Sequence, residues 1–394
     1  MTDRPLLRLF PGRERRLKAG HPWAFSNEID MKPEYRALPP GSLVRLEGDD
    51  GTKFGSFCFN PHSLIAARKL SRDPGAALDR GWIAARLAAA VALRASLGLG
   101  DHCRLVHAES DGFPGLIVDR YGDVAVVQAN SAWADGVLPD VTALLVEKLS
   151  LRGVIGRNDS HARTLEGLAP SVSVLFGDGA NVVAIEGGVE FPIDPLGGQK
   201  TGYFFDQRPH RDRAASLAHG AQVLDVFCHV GAFGLRAAHA GAAHVTLVDA
   251  SEHALEHARV AAERNGLADR VTIRRGDAFE VLEQLGTARA RFDLVICDPP
   301  AFAKSRKDTD QALRGYARVA RLATHLVAPG GYFFMASCSH HASPEAFTEA
   351  VAQGVWKSGR DGRIFASGGA GPDHPVHPGL PESAYLKGLW LQLD

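Results

Sequence analysis

No Cys-x-x-Cys pair occurs in the 394 residues, and the five cysteines, an odd number, lack the spacing of a disulfide framework. A zinc ribbon and a disulfide scaffold are thereby excluded, and the thiols read as those of a reducing cytoplasm. Long apolar runs are missing as well, since nothing approaches the ~18 uninterrupted residues of a membrane span. The stretch "MTDRPLLRLFPGRERRLKAG" has no apolar core of a signal peptide. The expectation is a soluble cytoplasmic protein with no membrane partner. Charge of one sign is lacking too: 44 Lys plus Arg against 45 Asp plus Glu leave a formal net charge of -1. No global field announces a polyanionic partner, so any nucleic-acid surface must be a local patch. A complete Gly-x-Gly-x-x-Gly fingerprint is also absent. What is present is length and 45% hydrophobic residues, enough to fill two or three cores.

Three segments follow one another. From Leu6 to about Leu70 the text is short and β-rich, with Asp50-Gly51 as a hairpin signal, which predicts a compact barrel over 1–72. "SRDPGAA" reads as a linker. An alanine-rich amphipathic helix then begins a middle α+β domain over 78–193, with Ile83, Leu87, Val91 and Leu97 at roughly helical spacing and Gly98 and Gly100 at its end. From 194 to 394 strands alternate with helices, the pattern of an open, mostly parallel sheet. "QVLDVF", "HVTLVDA", "VTIRRGD", "FDLVICD" and "GYFFMAS" suit strands buried on both faces. The clearest helix lies between two of them, with Ser251 as N-cap and Ala254, Leu255, Ala258, Ala261 and Ala262 on one face. Two last strands joined by a Gly/Pro loop close the chain.

Asp225, Asp249, Asp277 and Asp298 recur at or just after strand carboxyl ends, where ligands of doubly wound sheets sit. The first turn, "DVFCHVGAFG", has Gly231 and Gly234 to permit close backbone approach beside a helix amino terminus. Asp249 ends the second strand, where a carboxylate accepts from ribose hydroxyls. Any one of these acids could serve only as a helix N-cap; four together point to a crevice. Two glycines rather than three, with acids and no phosphate cradle, suit S-adenosylmethionine, which has a ribose, an adenine and a sulfonium cation but no phosphate.

"GQKTGYFFDQR", "DVFCHVGAFG", "DPPAFAKS" and "SCSHH", with "DHPV" and "YLKG" near the carboxyl end, resemble the bacterial 23S ribosomal-RNA cytosine-C5 methyltransferases that carry an amino-terminal PUA-like RNA-binding domain. The resemblance covers nearly the whole chain. It implies a PUA-like β-barrel, a central α+β domain and a Rossmann-like class I methyltransferase domain with a mixed seven-stranded sheet, using S-adenosylmethionine. It implies that Asp249 holds the ribose with Ala250 beside it, and that Asp277 with Ala278 reads the adenine amino group. Asp225, Phe227 and Gly231 would face the methionine part, and Asp298 would line the cleft between methyl donor and base. Tyr203, Asp206, Gln207 and Arg208 match a motif that sits over the cofactor. Cys338 and Asp298 are the catalytic residues implied, ribosomal RNA (23S or a large-subunit precursor) is the partner, and a homodimer is left open. The text departs from many cytosine-C5 enzymes in one place: "CDPPAF" has Cys297 before the aspartate and Ala301 after the prolines, so no second cysteine follows the fourth strand.

Carbon 5 of cytosine is a poor nucleophile, and thiolate addition at carbon 6 makes it enamine-like. A cysteine at the cleft is therefore required. Free cysteine more often packs as a small hydrophobe, which is the reading for Cys228 and Cys297, while Cys58 and Cys103 have no chemical context. Cys338 differs because it ends a strand between serines. His340, His341, His374 and His377 lack further ligands at short spacing, so no metal is expected. Arg13, Arg15, Arg16 and Lys304 are candidate RNA contacts, set in "RLFPGRERRLKAGH" and "KSRK". Other readings stay open: methylation of guanine N7 or an exocyclic amine, a non-catalytic RNA-binding assembly factor, and, more distantly, a nicotinamide dehydrogenase.

Overall fold

A computed structural model describes residues 4–198, 201–303 and 306–394. The chain forms two compact units, one comprising the segment up to Val182 with Ile193–Phe205 and Pro372–Ser383, the other Val183–Pro192, Asp206–Gly371 and Ala384–Asp394.

The first unit holds two five-stranded sheets. One consists of β1 (Leu6–Arg8), β2 (Trp23–Ala24), β3 (Ser42–Glu47), β4 (Lys53–Phe59) and β5 (Ala67–Ser71) in the order β1-β3-β4-β5-β2. Its β3–β4 hairpin turns at Asp50-Gly51, where Gly51 takes φ 78° and Asp50 Oδ1 accepts from the Thr52 N–H at 3.0 Å. The other consists of β6 (His102–His107), β7 (Leu116–Tyr121), β8 (Val124–Ala129), β9 (Gly153–Asn158) and β10 (Ser171–Gly177), in the order β10-β9-β8-β7-β6. The helix Arg80–Ser96 packs on this sheet, capped by Asp79. Its buried positions are Ile83, Leu87, Ala90 and Arg94, whereas Val91 is half-buried and Leu97 is 44% exposed. Val91 still packs against the core from its half-buried position, so the apolar face expected is corrected at Leu97 alone. Arg94 takes an inner position because Asp111 neutralises it through two bonds of 2.6 and 2.8 Å, and Leu97 is already the C-cap.

The second unit begins with the hairpin of β11 (Val182–Glu186) and β12 (Val189–Ile193). Its main sheet has seven strands: β13 (Gln222–Val226), β14 (His244–Asp249), β15 (Val271–Arg275), β16 (Phe292–Cys297), β17 (Val327–Ser337), β18 (Gly362–Gly368) and β19 (Lys387–Leu393). The order is β15-β14-β13-β16-β17-β19-β18. The first five are parallel, and β19 runs antiparallel to both β17 and β18. The five runs are all present as strands and the mixed seven-stranded sheet is the one expected, but β15 has no buried residue because it is the edge strand, so its reading as buried on both faces is corrected. One core packs the helices Ala278–Thr287, Thr309–Thr324 and Pro344–Lys357 on this sheet through Leu282, Tyr316, Phe333 and Phe347, each no more than 1% exposed. Strand order reverses between β13 and β16, which opens a crevice at their carboxyl ends. Among the described residues no helix is long and apolar enough to cross a membrane.

Candidate active site

The acids stand in a row because their strands are parallel and adjacent. β13 pairs β14 on one side and β16 on the other, with Val226 opposite Val248 and Cys297, so Asp249 and Asp298 leave the sheet at one edge. The turn after β13 is tightly bent: Phe227, His229 and Gly231 all have positive φ (62°, 51° and 76°). Two of these are not glycine, a strain held by surrounding bonds. The Cys228 N–H donates to Val248 O (3.0 Å) and the His229 N–H to Asp249 Oδ2 (2.9 Å). Asp249 Oδ1 accepts from the Ser251 N–H at 2.8 Å, so this half-buried carboxylate fixes two turns at once, with Ala250 exposed beside it.

The glycines have a reason that differs from the one inferred from their spacing. A Cβ on Gly234 would lie 2.3 Å from Leu247 Cδ2 and 2.8 Å from Val245 Cγ1, and one on Gly231 would lie 2.9 Å from Leu247 Cδ1. Both serve the packing of helix Ala232–His239 against β14.

Asp277 caps helix Ala278–Thr287, accepting from the Phe279 and Glu280 N–H groups at 3.0 and 3.2 Å. Both capping bonds go to Oδ1, and the residue is exposed, with Ala278 buried next to it. Asp298 is half-buried and accepts from Gln207 Nε2 at 2.9 Å. Gln207 Oε1 is buried with no hydrogen-bond partner among the described residues. Asp206 Oδ2 accepts from the Tyr385 hydroxyl at 2.6 Å, and Arg208 lies 3.9 Å from Glu186 of β11. Tyr203 belongs to the first unit, where it is 1% exposed and meets Phe205 edge to face at 5.0 Å.

Asp225 is fully buried. Its Oδ2 accepts from the Gly234 N–H at 2.8 Å, and its Oδ1 has no hydrogen-bond partner among the described residues. Burial, then the neighbouring charges of Asp298 and Asp249, push its carboxyl up to about 8, while the Gly234 N–H opposes them. A folded-state value above the unfolded one means that stability is lost as pH rises toward 8 and is fully present only below the unfolded value near 4. Asp225→Asn keeps an acceptor for Gly234 and removes the charge. Its melting temperature should exceed that of the parent at pH 8.5 to 9, and the gap should close by pH 4; an equal gap at both ends would refute this.

Cys338 follows β17 and is half-buried, while Cys58, Cys103, Cys228 and Cys297 are buried. Burial pushes Cys58 up to about 12 and holds Cys228 and Cys297 well above the ordinary thiol range, so these remain inert thiols. The flanking serines face inward: Ser337 Oγ bonds the Tyr316 hydroxyl at 2.9 Å and Ser339 Oγ donates to Ala303 O at 3.3 Å. Lys387 donates to the carbonyls of Ser339 and Ala342 at 2.6 and 3.0 Å. Tyr316, Tyr385 and Lys387 were not read from the sequence as site residues, although "YLKG" holds two of them.

Of the basic candidates, Arg13 and Arg15 are exposed. Arg16 is bound to both oxygens of Glu28 at 3.0 Å and lies 4.2 Å over the Phe25 ring. Lys304 lies outside the described residues. Among the described residues no group of three or more His, Cys, Asp or Glu is arranged to hold a metal ion.

A crevice at the switch point, lined by carboxylates, with the buried Asp225 Oδ1 and Gln207 Oε1 lacking partners among the described residues, fits a nucleoside that carries positive charge and no phosphate. S-adenosylmethionine is such a molecule, and the fold is that of the class I S-adenosylmethionine-dependent methyltransferases. A family model described as a methyltransferase domain matches residues 217–369, and one described as a PUA-like domain matches 7–72. The ribosomal RNA large subunit methyltransferase I of Shewanella amazonensis is 36% identical over 97% of this chain and 98% of its own. That of Pseudoalteromonas atlantica is 35% identical over 97% of each. The chain belongs to the ribosomal RNA large subunit methyltransferase I family. Among solved structures, a methyltransferase complexed with SAH superposes with a TM-score of 0.83 at 20% identity, over 98% of this chain and all of its own (100%), which concerns the fold alone.

Proposed function

We propose that the protein methylates carbon 5 of a cytosine in large-subunit (23S) ribosomal RNA through a covalent adduct between Cys338 and carbon 6. The observation that carries this reading is the half-buried Cys338 just after β17, in the row of strand ends that includes Asp298, while the other four cysteines are buried. In the proposed reaction the Cys338 thiolate adds to carbon 6, and the displaced π electrons make carbon 5 nucleophilic. S-adenosylmethionine, when bound, supplies the electrophilic methyl group. The carbon 5 proton then passes to a base, Asp298 or a water molecule, and the thiolate is expelled, which restores the aromatic ring.

Asp298, oriented by Gln207, would bond the N3/N4 edge of the base and oppose charge build-up in the adduct. Asp249 would hold the ribose, and Asp277, with Oδ2 not engaged in capping, would read the adenine amino group. The turn at Phe227 and Gly231 would face the methionine part. The base must be unpaired or flipped out, because the deep major groove of A-form RNA excludes a protein side chain. Arg13 and Arg15 would meet phosphates, an interaction that weakens steeply with salt.

Ribosomal RNA carrying 5-fluorocytidine tests the chemistry, because fluorine cannot leave as the carbon 5 proton does. A complex that survives denaturing electrophoresis, needs S-adenosylmethionine and is absent with Cys338→Ser is expected. Recovery of N7-methylguanosine or an N-methylated exocyclic amine as the only product would overturn the reading.

A further inference from the structure

Lys387 opens β19 directly opposite Ser337 in the antiparallel register with β17. Only 9% of it is exposed, an uncommon state for a lysine. Its two bonds, to Ser339 O and Ala342 O, close the turn that begins at Cys338 and engage two of the three N–H groups of the ammonium. Burial draws Lys387 below its ordinary range, and the charge of Cys338 acts in the opposite direction, which places cation and sulfur within electrostatic reach. Tyr316, on helix Thr309–Thr324, has its hydroxyl bonded to Ser337, the residue before Cys338. Burial raises Tyr316, and the charges of Cys338 and Asp298 add to that rise. Tyr316 is therefore a neutral neighbour, with the Asp298 carboxyl also within electrostatic reach of it.

A thiolate among carboxylates is disfavoured by like charge. A clamp on two carbonyls alone needs N–H groups but no charge, and a buried ammonium carries a desolvation cost that an amide avoids. We propose that Lys387 is a positioning residue for Cys338: it holds the turn that carries the cysteine and supplies the cation that keeps the sulfur ionised beside Asp298. The consequence for methyl transfer rests on the reading of Cys338 as the nucleophile, whereas the ionisation itself does not.

The test is the pH profile of Cys338 alkylation by iodoacetamide in the full chain, followed by mass spectrometry; the other four cysteines are buried. In the parent the midpoint should lie below the ~8.5 of free cysteine, a measurement that needs no variant. Lys387→Gln retains donors for the two carbonyls and should raise the midpoint by about one unit, and Lys387→Arg should restore most of the shift. A purely structural clamp would lower the melting temperature of Lys387→Gln without moving its midpoint. Superimposable profiles, or a parent midpoint at or above that of free cysteine, overturn the proposal. A shifted midpoint combined with undiminished methyl transfer by Cys338→Ala upholds it and removes the covalent reading instead.

Discussion

Cys338→Ala should lower methyl transfer to ribosomal RNA by roughly 10⁴-fold or more, the scale on which loss of a covalent nucleophile acts. Binding of S-adenosylmethionine should stay within about two-fold and stability within about 1 kcal/mol of the parent. The split is expected because Cys338 is half-buried at a strand end and contributes little to the core, whereas Ser337 and Ser339, both fully buried, hold the turn. Cys297→Ala gives the opposite signature. That thiol is fully buried in the main core of the sheet, so its truncation should cost about 1–2 kcal/mol while activity per folded molecule is kept. Single-turnover transfer to ribosomal RNA, calorimetric titration of the cofactor and thermal unfolding separate the two. Near-normal turnover in Cys338→Ala would exclude the covalent route.

The sheet was legible because central parallel strands covered on both faces are written as apolar runs, and four of the five parallel strands carry an acid at or just after the carboxyl end, while β17 runs into Cys338. Asp225, Asp249, Asp277 and Asp298 could therefore be placed at strand ends from the text alone. Their individual duties were less legible. Asp277 caps its helix and Asp249 ties two turns, and both jobs draw on the same preference of carboxylates for free N–H groups that would recommend them for a ligand. Gly234 looked like a position of close approach to a ligand, yet the atom that excludes a Cβ is Leu247 Cδ2.

The parts that could not be read all depend on distant pairs. Arg94 is buried on the helix face because Asp111 and the carbonyl of Asp373 meet it, and no periodicity signals that. Lys387 reaches Ser339 across 48 residues, through a register that only the antiparallel return of β19 creates. Arg16 stood in a basic run that suggested RNA, and its bonds to Glu28 depend on the fold bringing the two together. Sequence pattern thus locates a crevice through strand ends, while the polarity inside it is set by contacts that have no local signature.

The hairpin of β11 and β12 supplies the second large effect. Glu186, 2% exposed, receives Arg211 at 2.5 and 2.8 Å and Arg236 at 3.0 Å, with Arg208 at 3.9 Å. Burial alone would raise its carboxyl, but the arginines, Arg211 foremost, hold it below the usual range. Glu186→Ala removes the carboxylate that Arg211, itself 2% exposed, meets through two bonds, and leaves Arg236 with Asp212 at 2.7 Å. Removing one partner from a buried charge cluster costs about 3–5 kcal/mol, and at 2–4 °C per kcal/mol for a unit of this size the melting temperature should fall by roughly 10 °C. The effect should reach the crevice as well, because the same turn and helix carry Gln207, Arg208 and Arg211, and Gln207 orients Asp298. Weaker S-adenosylmethionine binding should therefore accompany the lower stability. Since the folded value of Glu186 is depressed, its contribution is present above the unfolded carboxylate range and is lost as pH falls through the folded value. The difference in melting temperature between parent and Glu186→Ala should accordingly shrink on acidification. A difference below 2 °C at pH 7, or one that grows toward pH 4, would show that the hairpin is held by its apolar residues rather than by Glu186.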